Sequence, residues 1–205
     1  MANLSDKVSP SGVALLSSPV FTGTPTAPTP ALGTDTTQVA TAAMVQAALG
    51  GYATPVDTTS GTSFDFTGIP AGVNSVEMYL NEVSLDGSNF LTVQLGTSGG
   101  VVSSGYIASS GRAADDSSNN VVSLTSAFPL EISNSGLKFS GIMSIRRLNS
   151  ASNTWVSSHA GRIADAQFVS GGGRVNLGGE LTQLRLGRNG TNSFDGGEVN
   201  IRWSY

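Results

Sequence analysis

Five prolines, Pro10, Pro19, Pro25, Pro28 and Pro30, punctuate the stretch from Ser9 to Thr37, and this spacing constrains the chain more than any other feature. Each proline fixes φ and lacks an amide donor, so no run between them is long enough for a regular helix or an internal sheet. The residues between are mostly Ser, Thr, Ala and Gly, which adds no interior. At up to about 3.3 Å per residue, some thirty residues reach on the order of 100 Å. Residues 1–34 are therefore expected to be an extended segment lying along a partner or along copies of itself. Val13, Leu15, Leu16, Val20 and Phe21 are too few for a core and too apolar for a solvated linker, which marks them as docking residues.

A different pattern begins at Asp35-Thr36-Thr37-Gln38, an acidic cap with Gln three residues on, and runs through Val39–Leu49 to Gly50-Gly51. This predicts a helix of about twelve residues within 35–51. Val39, Ala42, Ala43, Gln46 and Leu49 form one stripe at helical spacing. So short a helix is marginal alone in water and gains its stability from packing. The small alanines suit a close bundle on a threefold axis, and packing onto the chain's own body is the plainer alternative.

From Tyr52 onward the period becomes two. Val76, Met78 and Leu80 alternate with Glu77, Tyr79 and Asn81, and Leu91, Val93 and Leu95 alternate with Thr92 and Gln94. Asp86-Gly87-Ser88-Asn89 supplies hairpin chemistry between them. Further strands are predicted at 101–108, 121–125, 128–132 with Pro129 marking an edge, 137–147, 154–159, 174–177, 181–186 and 198–203. Leu137, Phe139, Met143, Ile145, Val199, Ile201 and Trp203 are expected in the core, with Asn200 and Arg202 outward. With 26 glycines and charged residues at 12%, the expectation for 52–205 is an all-β, antiparallel β-sandwich, jelly-roll-like, of some eight to ten strands. The sequence has no cysteine, so neither a disulfide framework nor a cysteine metal site holds it.

The formal net charge is −4, which argues against nonspecific nucleic-acid binding. Residues 1–135 hold two basic side chains against ten acidic ones, and residues 136–205 hold eight against four, giving −8 and +4. No apolar run approaches bilayer length and no signal peptide is evident at Met1–Pro10, so synthesis in the cytoplasm without membrane insertion is expected.

The phrase Ser18-Pro-Val-Phe-Thr-Gly-Thr-Pro-Thr-Ala-Pro-Thr-Pro-Ala31, followed by Gly33–Gln38 and Val39–Val45, closely resembles a module of tail-fibre and related structural proteins of tailed bacteriophages. Asp65-Phe-Thr-Gly-Ile-Pro70, Leu95–Tyr106 and Phe194–Ile201 look like the recurring C-terminal head of such fibres. The resemblance implies a homotrimer, attachment to other virion proteins through the N-terminus, and a distal β-rich head at the virion exterior. With almost no shaft, the chain resembles a short fibre, a baseplate-associated element, or a collar or head fibre.

Gly96-Thr97-Ser98-Gly99-Gly100 matches a nucleophile pattern, with Asp115 or Asp116 and then His159 following in α/β-hydrolase order. It separates two alternating segments rather than a strand and a helix, so a hairpin loop is expected and no catalytic residue is assigned. His159 is the single histidine, and the carboxylates are too scattered to nominate a glycosidase pair, so no metal or cofactor site is assigned either. Receptor contact has better candidates. Arg146 and Arg162 belong to a late-chain arginine set suited to anionic bacterial polysaccharide, with pairing to Glu77, Glu82 and Glu131 as the plainer reading. Trp155, between small polar neighbours, suits sugar stacking, or else a core or subunit-interface position. Asp115 and Asp116 stand in a polar loop that could meet an ion or a receptor, or only solvent. Gly111-Arg-Ala-Ala-Asp115 and Gly161-Arg-Ile-Ala-Asp165 echo each other, which by itself is slight support for a repeat.

Overall fold

The computed structural model describes residues 26–31, 39–114, 119–132, 136–164 and 167–205. The docking residues Val13, Leu15, Leu16, Val20 and Phe21, the cap at Asp35, and the acidic pair Asp115 and Asp116 lie outside the described residues. The chain divides into two units, Met1–Gln46 and Ala47–Tyr205.

In the first unit, residues 26–31 have no regular structure, and Thr41 Oγ1 donates to Thr29 Oγ1 at 3.0 Å. Helix α1 spans Ala42–Ala48, seven residues rather than about twelve. Its cap is Thr41, whose Oγ1 accepts the Met44 N–H at 3.2 Å. A threonine three residues before a free amide satisfies that donor directly, so the helix starts there. Ala42 and Ala43 are exposed, as are Val39 and Leu49 beyond the helix ends.

Fourteen strands follow among the described residues: β1 (Gly51–Tyr52), β2 (Val56–Asp57), β3 (Phe64–Thr67), β4 (Ser75–Leu85), β5 (Leu91–Thr97), β6 (Gly100–Val101), β7 (Ile107–Ala114), β8 (Asn120–Leu124), β9 (Phe128–Leu130), β10 (Phe139–Asn149), β11 (Thr154–Ala164), β12 (Gln167–Asn176), β13 (Gln183–Arg188) and β14 (Phe194–Ser204). The expected eight to ten fell short because two- and three-residue strands are too brief to show alternation. Strand β12 begins at Gln167 rather than near 174, because Gly171-Gly172-Gly173 erases the pattern. The run expected at 101–108 is two strands separated by a turn at Gly105, whose φ is +82°.

All pairings are antiparallel. The larger sheet has the order β1-β14-β4-β10-β11-β12-β7-β8, with β2 also on β14. The smaller runs β3-β13-β5-β6, with β9 also on β5. Nine and five strands exceed the eight that a jelly roll divides between its sheets. Pro129 lies in β9, whose sole sheet partner among the described residues is β5, as its missing donor requires.

One apolar cluster draws on both sheets: Val76, Met78, Met143 and Ile145 from the larger, and Val93, Leu95, Leu184 and Leu186 from the smaller, all fully buried. Two antiparallel sheets sharing a core is the arrangement of a β-sandwich. Leu137, Phe139, Val199 and Ile201 are buried as expected, and Trp203 is partly buried against the same cluster. Phe139 fills space left by glycine: a Cβ on Gly161 would lie 2.5 Å from its ring.

Candidate functional site

Alternation and register together decide what the larger sheet presents outward. Next to the inward row Trp203, Val76, Ile145 and Ser157 runs the outward row Ser204, Ser75, Arg146, Val156, Arg174 and Ile107. The next outward row is Arg202, Glu77, Ser144, Ser158, Gly172 and Ser109. Arg146, Arg202 and Glu77 thus gather at the β14–β4–β10 end, small side chains carpet the second row from β10 to β7, and Arg174 and Ile107 stand toward the opposite end of the first.

At that end a pocket of about 200 Å³ is lined by Ser75, Glu77, Arg146, Arg202, Trp203 and Ser204. Its walls are held by a short network. Tyr79 Oη donates to a Glu77 carboxylate oxygen at 2.5 Å. That bond to a carboxylate is the main reason the Tyr79 hydroxyl is pushed above the ordinary tyrosine range. The Arg202 guanidinium lies 5.5 Å from the centre of the Tyr52 ring. Arg146, exposed, has no ion-pair partner among the described residues. Cations, a carboxylate and hydroxyls therefore converge on a space too small for a drug-sized ligand, which needs roughly 300–1,000 Å³. A broader depression of about 640 Å³ lies beside it, over Ile142, Ser144, Ser158 and Ala160.

Three other arginines are engaged elsewhere. Arg147 pairs with Glu180 at 3.2 Å and donates to Asn153 Oδ1 at 3.0 Å. Arg185 grips Asp65 through two bonds of 2.6 and 2.7 Å, and Arg188 donates to the carbonyls of Gly190 and Asn192. Glu82 pairs with Lys138. Of the other expected counterions, Glu77 stands directly opposite Arg202 across β4 and β14, in keeping with cross-strand pairing.

Trp155 takes the core alternative and not the receptor one. It is fully buried, so it is unavailable to a sugar, and the Arg147 guanidinium sits 6.0 Å from its ring centre on the core side. Its small neighbours leave room in the interior rather than exposing it. Arg162 is exposed on the outward face but pairs with Ser140, six positions along β10 from Arg146, or about 20 Å at strand spacing. The two arginines do not share a site. The echo at 111 and 161 also dissolves: Val169 faces both Arg112 and Gly161, so the two motifs are offset by one residue and their arginines point to opposite faces.

Gly96–Gly100 forms the β5–β6 hairpin, with Thr97 paired to Gly100. His159 and Ser110 do meet, in the interior, with Nε2 2.9 Å from Oγ. The histidine is 5% exposed, too little for any substrate to reach it. Burial holds its pKa down, to about 4, so the ring is neutral at pH 7. Among the described residues no group of three or more His, Asp or Glu side chains could hold a metal, and no helix is long and apolar enough to cross a membrane.

No family model, curated protein or solved structure matches the chain. Of the pocket's residues, sequence reasoning named Arg146 as a candidate and placed Arg202 outward. Glu77, Ser75 and Ser204 were missed, because alternation gives each strand's outward residues and only strand order and register bring β14, β4 and β10 together.

Proposed function

We propose that this chain is a subunit of a bacteriophage virion fibre, non-enzymatic, whose β-sandwich head binds polysaccharide on the host cell. In this reading residues 1–34 attach to other virion proteins, residues 35–51 join three chains, and residues 52–205 form the head at the particle's exterior. The observation that carries it is the pocket at the β14–β4–β10 end, where Arg146 stands exposed beside Glu77, Ser75 and Ser204. Shallow polar sites of this kind bind sugars weakly, and three linked copies raise apparent affinity by roughly 10²–10⁴ without improving any one of them. The resemblance of residues 18–45 to the fibre module supplies the particle context.

A second reading is a baseplate, collar or capsid decoration that touches no receptor. It is favoured by Ile107, Val121, Ile142 and Phe168, which expose apolar side chains on the same outer face and suit protein contact. Incubating the purified full chain with susceptible host cells separates the two: saturable binding supports the adhesin, and absence of binding by folded protein supports decoration. Deleting residues 1–34 should remove the protein from virions and leave a folded head; particles that still incorporate the truncated chain would refute the anchor.

A further inference from the structure

We infer that the pocket between β14, β4 and β10 is a subsite for a sugar bearing a carboxylate, a uronic-acid or sialic-acid type residue within the host polysaccharide. The inference rests on the reading of the head as a glycan-binding unit and names what its pocket selects.

Arg146 is the anchor. It projects from the outer face of β10 between Ser75 on β4 and Val156 on β11, and its guanidinium has no ion-pair partner among the described residues. A planar guanidinium presents two parallel N–H donors that match both oxygens of a carboxylate, and such charge-assisted bonds are roughly twice as strong as neutral ones. Arg202 differs. It lies over the Tyr52 ring, so it is held as a wall rather than free to swing out.

The remaining lining suits the hydroxyl-bearing part of a sugar. Glu77 has its carboxylate fixed by the Tyr79 hydroxyl and keeps acceptor capacity for sugar O–H groups, since an ionised carboxylate offers about four lone-pair sites. Ser75 and Ser204 line the same pocket and can donate or accept.

Charge narrows the class further. Two arginines and one glutamate leave the lining at +1, which balances a single carboxylate better than the −1.5 to −2 of a phosphomonoester. Glu77 would also repel a second negative oxygen. At about 200 Å³ the pocket holds one ring, with neighbouring sugars left to lie across the depression over Ile142 and Ala160.

The test uses the full chain and immobilised polygalacturonate, hyaluronan and polysialic acid, each beside its carboxyl-reduced form, with a phosphodiester-linked teichoic acid as the other anion. At least one carboxylated polymer should bind and lose binding on reduction. Arg146→Ala should weaken that binding about tenfold or more, because the charged hydrogen bonds to the carboxylate are lost. Arg146→Lys, keeping the charge but not the fork, should fall between. Lys138→Ala, which removes the same charge just before the far end of β10, should change nothing.

Binding that survives carboxyl reduction, binding equally reduced by Lys138→Ala, preference for teichoic acid, or no binding to any carboxylated polymer overturns the assignment. If the protein still attaches to susceptible cells in any of those cases, the adhesin reading stands without this subsite. Conversely, Arg146-dependent binding to an acidic polymer without attachment to cells keeps the subsite and removes the adhesin.

Discussion

Ser110 Oγ and His159 Nε2 lie 2.9 Å apart between the sheets, and the same hydroxyl oxygen accepts the Glu131 amide at 3.0 Å. One hydroxyl on β7 thus ties a strand-borne imidazole to the segment after β9. Space for the ring comes from Gly171, where a Cβ would stand 2.7 Å from His159 Cε1. Both side chains are buried, Ser110 at 1% and His159 at 5% exposure, so the contact ties strands together in the interior.

Acid sensitivity follows. The folded His159 titrates near pH 4 and the unfolded one near 6.5, so between these values the unfolded chain holds the extra proton. Stability is then fully present above pH 6.5 and falls as pH drops toward 4, by on the order of 3 kcal/mol in total. Urea unfolding at several pH values should show this slope, and His159→Gln should flatten it. A wild-type curve level from pH 7 to 4.5 would contradict the buried neutral ring.

Trp155→Ala should cost about 3–5 kcal/mol, the range for emptying a buried aromatic site. Thermal denaturation measures it. Below the transition the variant's glycan binding should match the parent's, since the indole never meets the surface. Selective loss of binding in a fully folded variant would restore the tryptophan as a receptor contact.

Gly197 and Gly61 share a positive φ, +96° and +95°, yet sit in different surroundings. At Gly197, opposite the bulge where Glu82 takes φ +53°, a Cβ would stand 2.5 Å from the Glu82 backbone. At Gly61 nothing lies within 4 Å. Gly61→Ala should therefore cost only the backbone strain, about 1 kcal/mol, and Gly197→Ala about 3 kcal/mol because overpacking adds to it. Chemical denaturation of the two variants side by side checks the ordering; equal losses would mean the bulge yields freely.

Asp65 and Arg185 face each other across β3 and β13 with two short bonds, and the Arg185 hydrogen bond holds the Asp65 carboxyl below its usual range. Both side chains are more than a third exposed, so solvent screens the pair. Asp65→Asn should lower stability by no more than about 1 kcal/mol at low salt, and less as salt rises. The contribution is present above the unfolded carboxylate pKa and disappears as pH falls through the lower folded value. A loss several times larger, or one indifferent to salt, would mean the carboxylate does more than pair.

The sequence alone determined the all-β character of the body, because alternation in segments such as Val76–Leu80 and Leu91–Leu95 states locally which side chains leave water. It also excluded a disulfide or cysteine-metal framework, and it placed Leu137, Phe139, Met143, Ile145, Val199 and Ile201 in the interior. It stopped short where information was local and the answer was not. Small polar neighbours left Trp155 open between sugar stacking and the core, and the parity it shares with His159 turns it inward. The echo of Gly-Arg at 111 and 161, too short to establish a repeat, is offset by one residue in register. Tertiary structure decided what any one strand leaves open: which strands lie side by side, and in what register. Residues from β4, β10 and β14, separated in sequence by fifty or more positions, become one pocket only through ladder hydrogen bonds whose partners no local pattern specifies.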